Sequence, residues 1–184
     1  MALQQSLQAL FTQFTDLRET FEDLKITIQQ DRPKGSQAVL IDEFGDTAQE
    51  LVGWAREAQE AMEEAQHARL RSAPESIVAS LILCGQHYFT IHERFYTRLL
   101  GFDRVVDFDA LTRERTGEWE GWRTTMRDAM ECCRQSLALT AQALLRCWQE
   151  LAERNLTTSV YVEANNAGQR ITLGERDLAE EHVT

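Results

Sequence analysis

Only two prolines interrupt 184 residues, and the longest apolar run is the nine-residue stretch Ile77–Gly85, IVASLILCG. A bilayer-spanning helix takes about 20 consecutive apolar residues, so the sequence predicts no membrane span. Cations are also short, with 19 Lys and Arg against 30 Asp and Glu, a formal net charge of −11. Neutralising nucleic-acid phosphates requires clustered Lys and Arg, and anionic membrane surfaces attract polybasic segments. Both classes of partner are therefore excluded in favour of a protein partner, with a basic face the better electrostatic match. The opening MALQQSLQALFTQF lacks the basic stretch and the continuous apolar core of a secretion signal. The four cysteines, Cys84, Cys132, Cys133 and Cys147, form no Cys-x-x-Cys pair and lie within apolar helical patterns. That usage fits a reducing, cytoplasmic setting rather than a disulfide framework. No glycine-rich phosphate loop or dinucleotide fingerprint is present.

What the chain does have is helical periodicity. With 43 % apolar residues it can build a core at this length. Leu3, Leu7, Leu10, Phe14, Leu17, Phe21, Leu24 and Ile28 recur at alternating steps of four and three, a heptad seam that predicts a first helix. Asp31–Gly35, DRPKG, ends it, because the residue before a proline resists the α conformation. Phe44, Ala48, Leu51, Ala55, Ala58, Met62 and Ala65 mark a second helix, whose alanine-rich seam permits close approach of a neighbour. Its outer face is acidic: Asp42, Glu43, Asp46, Glu50, Glu57, Glu60, Glu63 and Glu64 stand against Arg56. The plainer reading of that row is a solvated face.

Pro74 suits the first turn of a third helix, with Ser72 or Ala73 as its cap. Its seam is Ile77, Leu81, Cys84, Tyr88, Ile91 and Phe95, and apolar flanks predict the most buried helix of the four. Gly101 is its expected C-terminal glycine. The connection Phe102–Gly117 is long for a bundle, and a short helix is expected near Asp109. A fourth helix runs from about Glu118 to Arg154, with a stutter in its seam near Cys133. Short connections favour antiparallel neighbours, so the predicted fold is all-α, an antiparallel up-down-up-down four-helix bundle with helices of about 40–50 Å. Two helical hairpins dimerising into a bundle form the alternative. The bundle is assigned to residues 1–156 and a β-prone extension to 157–184.

Candidate chemistry is sparse. Glu64-x-x-His67 has the spacing of di-iron bundles, but no second copy of the motif exists, and the fourth helix has no histidine. No metal site and no cofactor are predicted. Cys132 and Cys133 point about 100° apart on a helix and cannot easily share one ion. His92, one position past the seam residue Ile91, reads as a core-edge histidine or a buried pH-sensitive hydrogen-bonder. No nucleophile accompanies it in a triad-like context, so no catalytic residue is assigned.

The candidate contacts are aromatic and extended. Trp119 and Trp122 begin the fourth helix three residues apart, and Trp54 lies off the second seam. Tryptophans anchor interfaces, although a pair can equally plug the end of a bundle. Asn155–Gly174, NLTTSVYVEANNAGQRITLG, reads as strand, turn, strand, with Val160, Tyr161, Val162, Ile171 and Leu173 alternating around Asn165–Gly168. A lone hairpin is marginal in water, so this C-terminal ribbon should clasp its own bundle or dock on another chain, including a homodimer partner. The predicted function is a non-enzymatic protein–protein interaction module, an adaptor or subunit of a larger assembly, contacted through Trp54, Trp119 and the ribbon. The alternative is a small-molecule or metal-binding bundle with its ligand among Tyr88, His92, Tyr96 and the Trp122 or Trp148 rings.

Overall fold

The computed structural model describes residues 2–30, 38–68, 74–99 and 117–153. Four helices account for nearly all of them: α1 (Ala2–Gln29), α2 (Ala38–His67), α3 (Pro74–Arg94) and α4 (Gly117–Glu153). A π-helical turn, Phe95–Leu99, continues α3. Residues 31–37 and 69–73, the connection with its expected short helix near Asp109, and the expected ribbon with Val160, Tyr161, Val162, Ile171 and Leu173 lie outside the described residues.

The expected antiparallel bundle is present. Arg18 donates to Gln59 at 2.8 Å, and Lys25 donates to Gln49, so α2 descends as α1 rises. The Cys133 thiol reaches the Thr20 carbonyl, and the Thr140 hydroxyl reaches the Gln13 carbonyl at 3.5 Å, giving α4 the same sense against α1. Cys84 meets the Ala58 carbonyl at 3.3 Å and Arg98 meets Glu50 at 4.0 Å, which runs α3 against α2. All eight residues of the α1 seam are buried, six of them completely. Each such side chain removed from water contributes about 1.5–3 kcal/mol.

The alanine seam of α2 does what its small side chains allow. Ala48, Ala55, Ala58 and Ala65 are buried, and the missing side-chain bulk lets the Cys84 sulfur touch the α2 backbone. On α4 the buried band widens past the stutter. Met130 is buried while Ala129 moves to the flank, and Thr140 with Ala141, then Cys147 with Trp148, are buried as adjacent pairs. Helix α3 buries its predicted seam together with Val78, Ser80 and His92.

Packing is uneven around the ring. Helix α1 lies along both α2 and α4, and α3 lies along α2, whereas α3 and α4 approach closely over only a short length. The side chains that meet between α3 and α4, Tyr88 and Leu137 among them, are nonetheless buried.

Candidate functional site

Three aromatic rings follow one another along one face of α3, two of them buried. Tyr88, His92 and Tyr96 follow one another at single-turn spacing. His92 lies 5.9 Å from Tyr88 and 4.5 Å from Tyr96, ring centre to ring centre, with tilts of 36° and 42°. Tyr96 also meets Phe95 edge-on at 5.3 Å. Spacing of four residues brings side chains together on one helical face, which is why the rings stack in a ladder. The Tyr88 hydroxyl donates to the Leu137 carbonyl of α4 at 2.9 Å, fully buried. This bond spans α3 and α4 where their packing is thin.

His92 is buried, and its Nε2 has no hydrogen-bond partner among the described residues. Burial disfavours the imidazolium and lowers its pKa from 6.5 to about 4, so the ring is neutral at neutral pH. The π-helical turn follows immediately, and such widened turns recur at functional sites. Its two core residues, Phe95 and Leu99, are both buried, and Phe95 rests against Phe21 of α1 at 6.2 Å.

Beside the ladder runs an incompletely covered apolar stripe. Ile82, Phe89 and Tyr96 are each one heptad apart and share a flank of α3; Ile82 and Tyr96 are half-buried, and Phe89 is 43 % exposed. Facing it, α4 carries Arg123, Arg127 and Arg134 around the buried Met130, at steps that keep them on one side of the helix. The bond from the Tyr88 hydroxyl to the Leu137 carbonyl brings this part of α4 beside α3. Arg134 also forms a bidentate pair with Glu131 at 2.7 and 2.8 Å. Hydrogen bonds from Arg134 and then Gln135 hold the Glu131 carboxyl at about 2, well below the usual carboxylate range.

The residues singled out from sequence are placed unequally. Trp54 is half-buried against the core, with the Arg94 guanidinium 6.0 Å from its ring centre, so one face of its indole is already engaged within the bundle. Trp119 lies in the first turn of α4, and its side chain is outside the described set. Trp122 is buried. At 1.5 Å per residue, Trp148 stands about 16 Å along α4 beyond Leu137, and Trp122 about 22 Å in the opposite direction. The stripe through Phe89 was missed as a site, although Ile82, Phe89 and Tyr96 could have been read as a second heptad seam beside the first.

Elsewhere, reactive chemistry is muted. Burial pushes the thiols of Cys84 and Cys133 well above their ordinary range and that of Cys147 up to about 12; Cys132 is exposed. Thiols so protonated are poor nucleophiles. Glu64 and His67 are both exposed, and among the described residues no group of three or more His, Cys, Asp or Glu side chains is arranged to hold a metal. An open groove of about 420 Å³ between α1 and α4 is lined by Gln5, Gln13, Leu139, Gln142, Arg146 and Glu150. No helix among the described residues is long and apolar enough to cross a membrane. The chain matches no family model, no curated protein and no solved structure.

Proposed function

We propose that this protein is a non-enzymatic interaction module that receives a protein partner on the exposed apolar flank of α3 around Phe89. The carrying observation is Phe89, 43 % exposed between the half-buried Ile82 and Tyr96 on the helix that packs along only one full neighbour. A few aromatic anchors buried on binding supply most of the affinity in protein interfaces. The acidic face of α2 supplies long-range attraction for a partner with a basic patch; Asp42, Glu43, Asp46, Glu50, Glu57, Glu60, Glu63 and Glu64 are all exposed there. Two of these acids meet α3, Glu57 at 3.6 Å from His87 and Glu50 at 4.0 Å from Arg98. Adaptor or subunit roles in a larger assembly follow from the same face.

The test places a benzophenone-bearing phenylalanine at position 89 of the full chain in its native cells, with position 139 as the control. A discrete adduct to another protein is expected at 89 and not at 139. The captured protein, once purified, should bind with an affinity that Phe89→Lys weakens at least tenfold and Ile26→Ser leaves unchanged. Equal binding by Phe89→Lys removes the proposal.

A second reading is a small-molecule site at the aromatic ladder, favoured by one observation, the buried and unbonded Nε2 of His92. Such a ligand would present a hydrogen-bond donor to that nitrogen. A thermal shift with a polar aromatic library, abolished by His92→Phe, would support it; a flat response across the library would count against it.

A further inference from the structure

Neither Ala2–Thr15 of α1 nor Gln135–Leu145 of α4 contains an Asp, Glu, Lys or Arg, in a chain that is 27 % charged. The Thr140 hydroxyl against the Gln13 carbonyl lays the two stretches side by side, running in opposite directions. Between them lies the open groove of about 420 Å³, where the short side chains of Ser6, Ala9 and Ala143 leave the space. Leu139 stands at its edge, 52 % exposed, the most exposed large apolar residue among those described.

We infer that a second copy of the chain docks on this face, forming a symmetric dimer. Two arguments carry the choice of occupant. The first is charge. At −11 per copy, two chains repel as wholes, so they approach at least cost where neither brings charge to the contact. Interface cores are depleted in charged residues for a related reason, since each charge there must be desolvated. A basic partner gains no attraction from an uncharged face and is drawn instead to the acidic row of α2.

The second argument is self-complementarity. A two-fold contact sets the same patch against itself, so each group must find its match there. Gln5 and Gln142 line the groove with amides, and every side-chain amide both donates and accepts. Leu139 offers apolar surface to either copy. Arg146 and Glu150 stand toward one end of the groove with opposite charges, so that end is neutral as a whole. The groove lies on the α1 side of α4 and the Phe89 flank on α3, so the dimer stands or falls separately from the docking reading given above.

The test is light scattering on the full chain over a rising concentration series, where the mass should climb from one chain toward two. Leu139→Lys should raise the dissociation constant of the dimer at least tenfold, and Gln142→Glu severalfold, because each puts a charge on the face of both copies. Phe89→Lys and Ile26→Ser should leave it unchanged. All four sites are exposed, and retained helical circular dichroism confirms folding of each variant. A benzophenone at position 139 should then give an adduct at the mass of two copies of this chain. A mass that stays at one chain throughout the series overturns the inference. So does a dimer that Leu139→Lys leaves intact, or an adduct within one chain that maps to residues 154–184. A dimer that Phe89→Lys abolishes and Leu139→Lys spares overturns it too, and gives the α3 flank to self-association. A dimer weakened by Leu139→Lys, in a chain whose captured partner binds equally well after Phe89→Lys, upholds the inference and removes the docking reading.

Discussion

Helices α1 and α3 solve the same packing problem with opposite surpluses. Helix α1 has a single narrow heptad seam, and two neighbours cover it along its length. Its polar flanks are then free to bond across, as Arg18 does to Gln59. Helix α3 is apolar over a wider arc, yet only α2 lies along it fully, and it leaves Phe89 and Leu83 each 43 % exposed. Apolar content thus does not measure how well a helix is covered. A helix with more apolar surface than its neighbours can seal has surface left for something else, and large exposed apolar residues are where interaction sites form.

The sharpest way to break that contrast is to make one substitution on each helix. Phe14 of α1 is completely buried, and Phe14→Ala should cost about 3–5 kcal/mol by lost transfer energy and cavity formation. Phe89→Ala, at a site already open to water, should cost under about 1 kcal/mol. Urea denaturation followed by circular dichroism gives both values. Equal costs would mean that Phe89 is sealed in solution, and the distinction between the helices would go.

A pH series separates the two helices next, because α1 holds no histidine and α3 buries one. The His92 pKa is lowered to about 4 in the folded state, against an ordinary value of 6.5 once the chain unfolds and the ring meets water. Between these values the unfolded state binds the proton and the folded state does not, so stability falls as pH drops from 6.5 towards 4. At about 1.4 kcal/mol per unit, the loss reaches about 3 kcal/mol at most. Carboxylates titrate in the same window, so the reading is the difference between the unmodified chain and His92→Phe. The stability of the unmodified chain relative to His92→Phe should fall with acid; a constant difference would show that His92 binds its proton equally in the folded and unfolded states.

The seams were legible in the sequence because burial follows period. Every residue of the α1 heptad row is buried, and so is every residue of the α3 row from Ile77 to Phe95. The alanine spacing of α2 likewise announced close approach. The wider backbone spacing of α3 and α4 was not legible, since no pattern within one helix states how far away its neighbour lies. Trp54 is a candidate contact from its off-seam position; the Arg94 guanidinium near its ring belongs to another helix and could not be seen from α2 alone. The π-helical turn at Phe95–Leu99 has the same spacing as an α-helix in the sequence, and only the backbone reveals it.

A smaller effect probes the bond that spans the thin seam. Tyr88→Phe keeps the ring of the ladder and deletes the donor to the Leu137 carbonyl. A buried acceptor left without that partner should cost about 1–3 kcal/mol. Amide exchange should then speed up along α3 and α4 more than along α1 and α2. Uniform acceleration in all four helices would mean that the seam opens only with the whole bundle.

The smallest expected effect compares two exposed residues. Ile26 of α1 is 47 % exposed and Leu83 of α3 is 43 % exposed, so replacing either with serine removes little buried area and should change stability by under about 0.5 kcal/mol. Leu83 nevertheless projects from the back of α3, away from the Ile82–Phe89–Tyr96 stripe, because its six-residue offset from Phe89 turns it by about 120°. If affinity resides in the stripe, Leu83→Ser should leave binding of the protein captured at position 89 as unaffected as Ile26→Ser does. A tenfold loss with Leu83→Ser, measured by calorimetry with that purified partner, would widen the contact surface to the whole apolar circumference of α3. The excess of apolar residues on this helix would then be read entirely as interface.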